Sequence, residues 1–279
     1  MTFGHGSVSY EVALPNRALI VRTNANPEVF AGTARNLSVL RELGLPVSKP
    51  IVSDVSRTRY PAAYMILEKI PGRDLRYELR TMTPVQKRRL AEQIVGYQRA
   101  AATLPEGNGF GYAAIGEKAP FSSWRDLVVW ETRSNLPDNL EPSLARLRDR
   151  VFGLTPAFTP YLEQVAPTCF LDDLTTKNVI VEHGELRGLI DFDVVCYGDP
   201  LWTLGLTATA IVFDLGPEHL DYVGALCDAY TLDEAKRAVV TWYAALFALT
   251  FLARASPVET AEASRAIATL EGWLELLEH

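Results

Sequence analysis

Asp172 and Asp173 close an apolar run at 169–171, and Asn178 follows Asp173 by five positions. Asp191 stands thirteen residues beyond Asn178, at the end of another apolar run, with Asp193 two positions further on. Between Asn178 and Asp191 the chain reads as a hairpin, apolar at 179–181 and 186–190, with His183-Gly184-Glu185 as the turn. A hairpin returns its end beside its beginning, so Asn178 and Asp191 converge on one side, with Asp173 on the loop close by. Two hard oxygen donors beside a third carboxylate suit Mg²⁺, which takes one or two protein oxygens and completes its octahedron with water and phosphate oxygens. The D-x-x-x-x-N spacing, followed by a hairpin and an Asp, matches phosphoryl-transfer chemistry. Asp173 would accept or orient the proton of a hydroxyl, and Asn178 and Asp191 would hold the metal against a triphosphate. Asp and Asn are common turn formers at strand ends, so the weight lies on the ordered set and not on any one member.

The elements that must position these groups are legible in outline. Runs that read as strands at 7–14 and 18–23 flank Pro15-Asn16-Arg17, a three-residue hairpin connection. Asn26, Pro27 and Glu28 supply an N-cap, a proline at the first helical position and an early acid. Leu37, Leu40 and Leu43 continue that helix until Gly44 ends it. A loop and a strand at 63–67 lead to residues 68–74, whose Pro and Gly mark a linker. Beyond it the pattern is helical at 84–103, 124–136 and 142–151, and again from about Leu201, Pro217, Asp233 and Pro257, with a β island at 169–190. The predicted fold is α+β and bilobal: a small α/β N-terminal lobe, 1–70, and a larger, mainly helical C-terminal lobe, 71–279, with an embedded hairpin.

Composition narrows the function classes. The 279 residues are 48% hydrophobic and carry a net charge of −7, which argues against a nucleic-acid partner. From residue 200 onward there are eleven acidic and four basic residues, so this third carries the whole imbalance, which reads either as the solvated faces of surface helices or as an attraction for a cationic small molecule. Cys169, Cys196 and Cys227 are far apart and form no CxxC pair, which indicates neither a disulfide framework nor a zinc site. The longest apolar stretch, 238–253, is interrupted by Thr241 and Thr250 and reads as a buried helix rather than a membrane span. No signal-peptide pattern opens the chain. The expectation is a soluble, cytoplasmic protein with no membrane association.

At these residues the sequence resembles the aminoglycoside phosphotransferase and choline kinase-like family, which shares the protein kinase fold. The family's H-G-D-x-x-x-x-N run corresponds to Leu171-Asp172-Asp173-Leu174-Thr175-Thr176-Lys177-Asn178. Its I-D-[FW] metal aspartate corresponds to Ile190-Asp191-Phe192, and its G-D-P segment to Gly198-Asp199-Pro200. Gly4-His5-Gly6-Ser7 stands where the nucleotide loop falls, and residues 65–74 resemble the hinge. The resemblance implies ATP or GTP between the lobes, with Mg²⁺ and a hydroxylated acceptor held by the helical lobe. It makes Asp173 the catalytic group and Asn178 and Asp191 the metal ligands. Gly4, Gly6 and Ser7 become the phosphate lid, and the backbone around Glu68 and Ile70 the edge that meets the nucleobase. Four positions depart from the pattern. Leu171 replaces the bracing histidine, Arg22 replaces the phosphate-gripping lysine, and Asn36 stands near the helix acid that would pair with it. Only three residues precede the glycine loop, so the first strand is expected to be truncated.

Rival readings are weaker. A phosphatase built on Asp191-Phe192-Asp193 needs a downstream lysine in a βαβ setting, and Lys236 is the only lysine after Asp193, in a helical stretch. A metal-dependent glycosyltransferase of D-x-D type lacks the preceding nucleotide-binding domain. The non-enzyme alternative is a degenerate kinase-like protein that binds nucleotide or a partner without turnover, and Leu171, Arg22 and Asn36 motivate it.

Overall fold

The computed structural model describes residues 7–137, 139–254 and 260–279. The helix start expected near Pro257 lies outside them. The N-terminal part comprises β1 (Val8–Leu14), β2 (Arg17–Asn24), α1 (Glu28–Glu42), β3 (Pro50–Asp54) and β4 (Ala63–Glu68), and its antiparallel sheet runs β1-β2-β4-β3. The β1–β2 hairpin pairs Leu14 with Arg17, so its connection is two residues and not the expected three. Strand β3 forms within the stretch read from sequence as loop. Register assigns the faces of the sheet: Ser9 pairs with Arg22 and Arg22 with Met65, which puts Arg22 on the same face as buried Ala63, Met65 and Leu67. Helix α1 covers that face with Phe30, Leu37 and Leu40. Its N-cap is Pro27 and its first residue Glu28, one position later than expected, and the Asn26 side chain accepts from the Glu28 amide. It closes in a Schellman turn at Gly44 (φ 81°), where the Leu45 amide donates to Leu40 O and the Gly44 amide to Arg41 O.

Residues 69–72 lead out of the sheet into β5 (Arg73–Asp74) and α2 (Pro84–Ala101). Next come β6 (Gly111–Ala113), α3 (Trp124–Ser134), α4 (Pro142–Gly153) and α5 (Thr155–Leu162). Strands β7 (Cys169–Phe170), β8 (Val179–Glu182), β9 (Glu185–Leu189) and β10 (Val195–Tyr197) follow, then α6 (Leu201–Asp214), α7 (Asp221–Tyr230), α8 (Glu234–Arg254) and α9 (Ala261–Glu278). The β island expected from sequence is two sheets. Strand β7 joins β6 and β10, and the β8–β9 hairpin joins β5. The hairpin turn is His183-Gly184, both residues with positive φ, between the paired residues Glu182 and Glu185.

Helix α8 is long and apolar enough to cross a membrane by length and composition, yet it is the buried axis of the helical part. Trp242, Tyr243, Ala245, Leu249 and Leu252 on it are inaccessible, and it packs mainly against α6 and α9. Asp199 fixes the start of α6. One of its oxygens accepts from the Leu201 amide at 3.0 Å, and the other accepts from the Tyr161 and Tyr243 hydroxyls at 2.8 and 2.9 Å. The Asp of the Gly198-Asp199-Pro200 segment is therefore a structural tie between α5, α6 and α8.

Gly198 beside it has φ 150°, and a Cβ there would lie 2.1 Å from a ring carbon of Trp124. That indole is fully buried and wedged edge-on against Phe170 and Trp202, so it cannot yield. Gly198→Ala should cost at least about 2 kcal/mol, a fall in melting temperature of roughly 5 °C or more. An unchanged melting curve would contradict this packing.

Candidate active site

The polar groups singled out by spacing come together at the open end of the β8–β9 hairpin. Val179 pairs with Leu189, and the Ile190 amide donates to Asn178 O at 3.0 Å, so Asn178 and Asp191 flank the hairpin mouth. The Asn178 side-chain amide donates to Asp173 O at 2.9 Å and thereby fixes the loop between them. Both aspartates have left-handed backbone, Asp173 with φ 52° and Asp191 with φ 70°. A branched or bulky side chain would be strained there, and such outliers cluster where a loop is held for function.

Burial sets the electrostatics. It pushes the Asp173 carboxyl up to about 6, against the opposing hydrogen bond from the Thr175 hydroxyl at 3.0 Å, and the neighbouring Asp191 charge adds to the rise. Burial raises the Asp191 carboxyl too, and Arg22 opposes this. Asp172 points the other way. Its Oδ1 is enclosed without a hydrogen-bond partner among the described residues. Burial, with the Asp173 and Glu131 charges nearby, pushes its carboxyl up to about 8. Glu131 on α3 is itself raised by burial.

Arg22 reaches this cluster from the sheet. Its Nη1 and Nη2 each donate to Asp193 at 2.8 Å, and Nη2 also donates to Asp191 at 3.2 Å. The side chain is only 12% exposed, so Arg22 is not a free surface residue. Of the expected nucleotide-binding positions, Gly4 and Gly6 lie outside the described residues. Ser7 accepts from the Asn24 side chain at the outer end of the hairpin, at 2.8 Å. In the hinge, the Glu68 amide is spent on Lys49 O at 2.9 Å and the Lys69 amide on Ala18 O at 3.1 Å. The Glu68 N–H is thus unavailable to a ligand, whereas Ile70 has no such backbone partner among the described residues.

Three braces were not legible in the sequence. Gln98 on α2, 2% exposed, places both arms of its amide on the Leu171 backbone, accepting from the amide and donating to the carbonyl, each at 2.8 Å. The loop that lacks its histidine is held by a glutamine from another helix. Asn36, fully buried on α1, donates to Phe192 O at 3.0 Å and Asp193 O at 3.2 Å, and accepts from the Ile115 amide at 2.8 Å. Asp214 at the end of α6 meets Lys177, on the loop between Asp173 and Asn178, at 3.1 Å. Glu28 and Glu42, the acids of α1, are exposed and form no ion pair with Arg22.

The donor set fits Mg²⁺. Asn178 and Asp191 offer hard oxygens, the Asn178 nitrogen is already committed to Asp173 O, and the Asp191 side chain keeps 41% exposure. Among the described residues no group of three or more His, Cys, Asp or Glu could hold a metal ion.

A family model described as the phosphotransferase enzyme family, APH, matches residues 3–240. The fold is similar to that of an apo thermostable mutant of the aminoglycoside phosphotransferase APH(4)-Ia, with TM-score 0.68 and 15% identity over 99% of this chain and 93% of that one. A ternary complex of a thermostable APH(4)-Ia mutant with AMP-PNP and hygromycin B gives TM-score 0.65 and 16% identity over 99% and 92%. A GDP and kanamycin complex of the 2″-phosphotransferase type gives TM-score 0.71 and 15% identity over 99% and 92%. No curated protein matches the sequence.

Asp172 carries a pH prediction. A carboxyl raised to about 8 in the fold, against 3.8 ordinarily, is protonated more readily folded than unfolded, so stability falls as pH rises from about 4 to about 8. Asp172→Asn removes that loss. Its melting temperature should exceed the wild type's by a margin that widens from pH 5.5 to pH 8. A margin constant across that range would show that Asp172 is not a buried carboxyl of raised pKa.

Proposed function

The chain belongs to the phosphotransferase enzyme family, and on that premise we propose that it moves the γ-phosphoryl group of ATP or GTP to a hydroxyl of a small molecule. The observation that carries the reading is the convergence of Asp173, Asn178 and Asp191 at one hairpin mouth, with Arg22 reaching them from the sheet. The lobes divide at residue 70, and the triphosphate lies between them, under β1 and β2. The acceptor oxygen bonds to the γ-phosphorus as the bond to the bridging oxygen breaks. The nucleoside diphosphate leaves, and Asp173 orients the hydroxyl and takes its proton. A carboxyl raised to about 6 suits that role, because it is ionised at neutral pH yet more basic than an ordinary aspartate.

Asn178 and Asp191 would hold Mg²⁺, which when bound neutralises charge on the triphosphate. Arg22 contacts a phosphate oxygen, and the Ile70 backbone meets the nucleobase edge. Most of the catalytic effect comes from positioning and fixed charge rather than covalent chemistry. The related structures hold AMP-PNP with hygromycin B and GDP with kanamycin, which supports a hydroxylated, amine-bearing acceptor here. The acidic C-terminal third and half-buried Glu131 on α3 support the same class. A cytoplasmic setting suits a triphosphate-consuming enzyme whose three cysteines are all free.

The rival, nucleotide binding without turnover, rests on Leu171, Arg22 and Asn36. Each of these positions has a structural replacement: the Gln98 clamp, the guanidinium on the carboxylate pair, and the Asn36 bonds to the metal loop. Turnover decides between them. Asp173→Ala should lower kcat by about a thousandfold or more while nucleotide affinity stays within a few-fold. Asp191→Ala should damage both. Full activity in either variant would sink the assignment, and wild-type protein that binds nucleotide but phosphorylates no alcohol would favour the rival.

A further inference from the structure

We propose that Asp193 is the positioning acid for Arg22, taking over the role of the helix acid for which α1 has only Asn36. The proposal rests on the reading of the cleft as a nucleotide site and names a residue through which that site works.

Arg22 treats its two carboxylates differently. Asp193 receives two parallel N–H···O bonds of 2.8 Å, the fork geometry that gives guanidinium–carboxylate pairs their strength and direction. Asp191 receives one bond of 3.2 Å. Asp193 is also the deeper anchor, its side chain 20% exposed against 41% for Asp191. The Thr33 hydroxyl lies 2.8 Å from the same Oδ1 that Nη1 reaches and 2.8 Å from Val29 O, so its one proton is shared between the helix backbone and the carboxylate, and α1 meets the carboxylate from its other side. The Arg22 guanidinium carbon is 5.6 Å from the centre of the Phe30 ring on α1, which limits where the side chain can swing.

Asn36 explains why the acid sits on the loop and not on the helix. Its side-chain nitrogen faces two carbonyl oxygens, Phe192 O and Asp193 O, in a fully buried position. A carboxylate there would meet both carbonyls with no proton to offer and would repel them. Gly32 tightens the same junction: a Cβ on it would come 2.9 Å from Ala114 Cβ and 3.5 Å from Asp193 O. Helix α1 is thus docked directly on the loop that carries Asp191 and Asp193, and the charge that steadies Arg22 comes from that loop. A guanidinium has five N–H donors, and the described contacts use three bonds, which leaves capacity for a phosphate oxygen. Asp191 could give up its single 3.2 Å contact to serve as a ligand, while the two-bond Asp193 fork would keep Arg22 in place.

The test is a double-mutant cycle on binding of AMP-PNP with Mg²⁺, measured by calorimetry on wild type, Arg22→Met, Asp193→Asn and the double variant. Each single change should weaken binding about tenfold or more, and the double variant should bind no worse than the weaker single, because contacting groups couple. Binding to Asp193→Asn should still require Mg²⁺. Melting curves without ligand establish that each variant is folded. If Asp193→Asn is not, Thr33→Val carries the test, with AMP-PNP binding about threefold weaker expected from loss of one hydrogen bond and unchanged binding counting against the proposal. Wild-type affinity in Asp193→Asn, or additive losses in the double variant, would overturn it. Loss of the Mg²⁺ requirement in Asp193→Asn would overturn it too, by making Asp193 a metal ligand. Absence of nucleotide binding by the wild type would remove the nucleotide-site reading itself and this proposal with it.

Discussion

The guanidinium of Arg22, held between Asp193 and Asp191, is the contact on which the arrangement of the cleft depends. It joins a strand of the N-terminal sheet to a loop of the helical part, across more than 160 positions of sequence. Two like charges two residues apart on one loop would repel each other and resist burial. A delocalised cation with a planar fork satisfies both while remaining always charged. With that contact in place, α1 docks through Thr33 and Asn36, and the hairpin mouth faces the underside of the sheet. The same Arg22 that looks like a departure from a lysine pattern is thereby suited to a site whose acid lies on the loop after the β8–β9 hairpin.

A second constraint is conformational. Asp173 and Asp191 sit in left-handed backbone, each at an energetic cost of about 1–3 kcal/mol. The surroundings hold them there: Gln98 grips the Leu171 backbone at the start of the loop, Asn178 grips the Asp173 carbonyl, and Asn36 grips the backbone after Asp191. Side-chain amides do this work at all three points. An amide can donate and accept at once, so it satisfies a buried backbone without adding charge to a cluster already rich in carboxylates.

The ordered set Asp173, Asn178 and Asp191 was legible because its spacing matches a strand–loop–hairpin unit, and local turn chemistry at His183-Gly184 fixes that hairpin from sequence. The larger helices were legible from their apolar periodicity, and the structure adds the capping box of Thr83 and Gln86 at the start of α2. Strands β6 and β10 were not, being three residues each and stabilised by pairing with distant partners rather than by their own pattern. Helix α5 carries Pro156 and Pro160 and reads as a break, yet packing of its Leu162 and the bond from Tyr161 to Asp199 override the weak propensity. Gln98 and Asn36 were illegible for a related reason. Each looks like an ordinary polar residue on an amphipathic helix, and only the tertiary fold shows that it faces a buried backbone. The commitment of the Glu68 amide to Lys49 was hidden in the same way, since it depends on the path of β3.

The most direct measurement is thermal melting of the protein with ATP or GTP, each with and without Mg²⁺, beside Asp191→Asn. Ligand at about a hundred times its dissociation constant adds about 2.7 kcal/mol, which for a chain of this size is a rise of roughly 5–10 °C. A Mg²⁺-dependent rise with at least one nucleotide, lost in Asp191→Asn, is the expected result. No rise with either nucleotide, or an equal rise in the variant, would contradict the assignment of this cleft as a nucleotide and metal site.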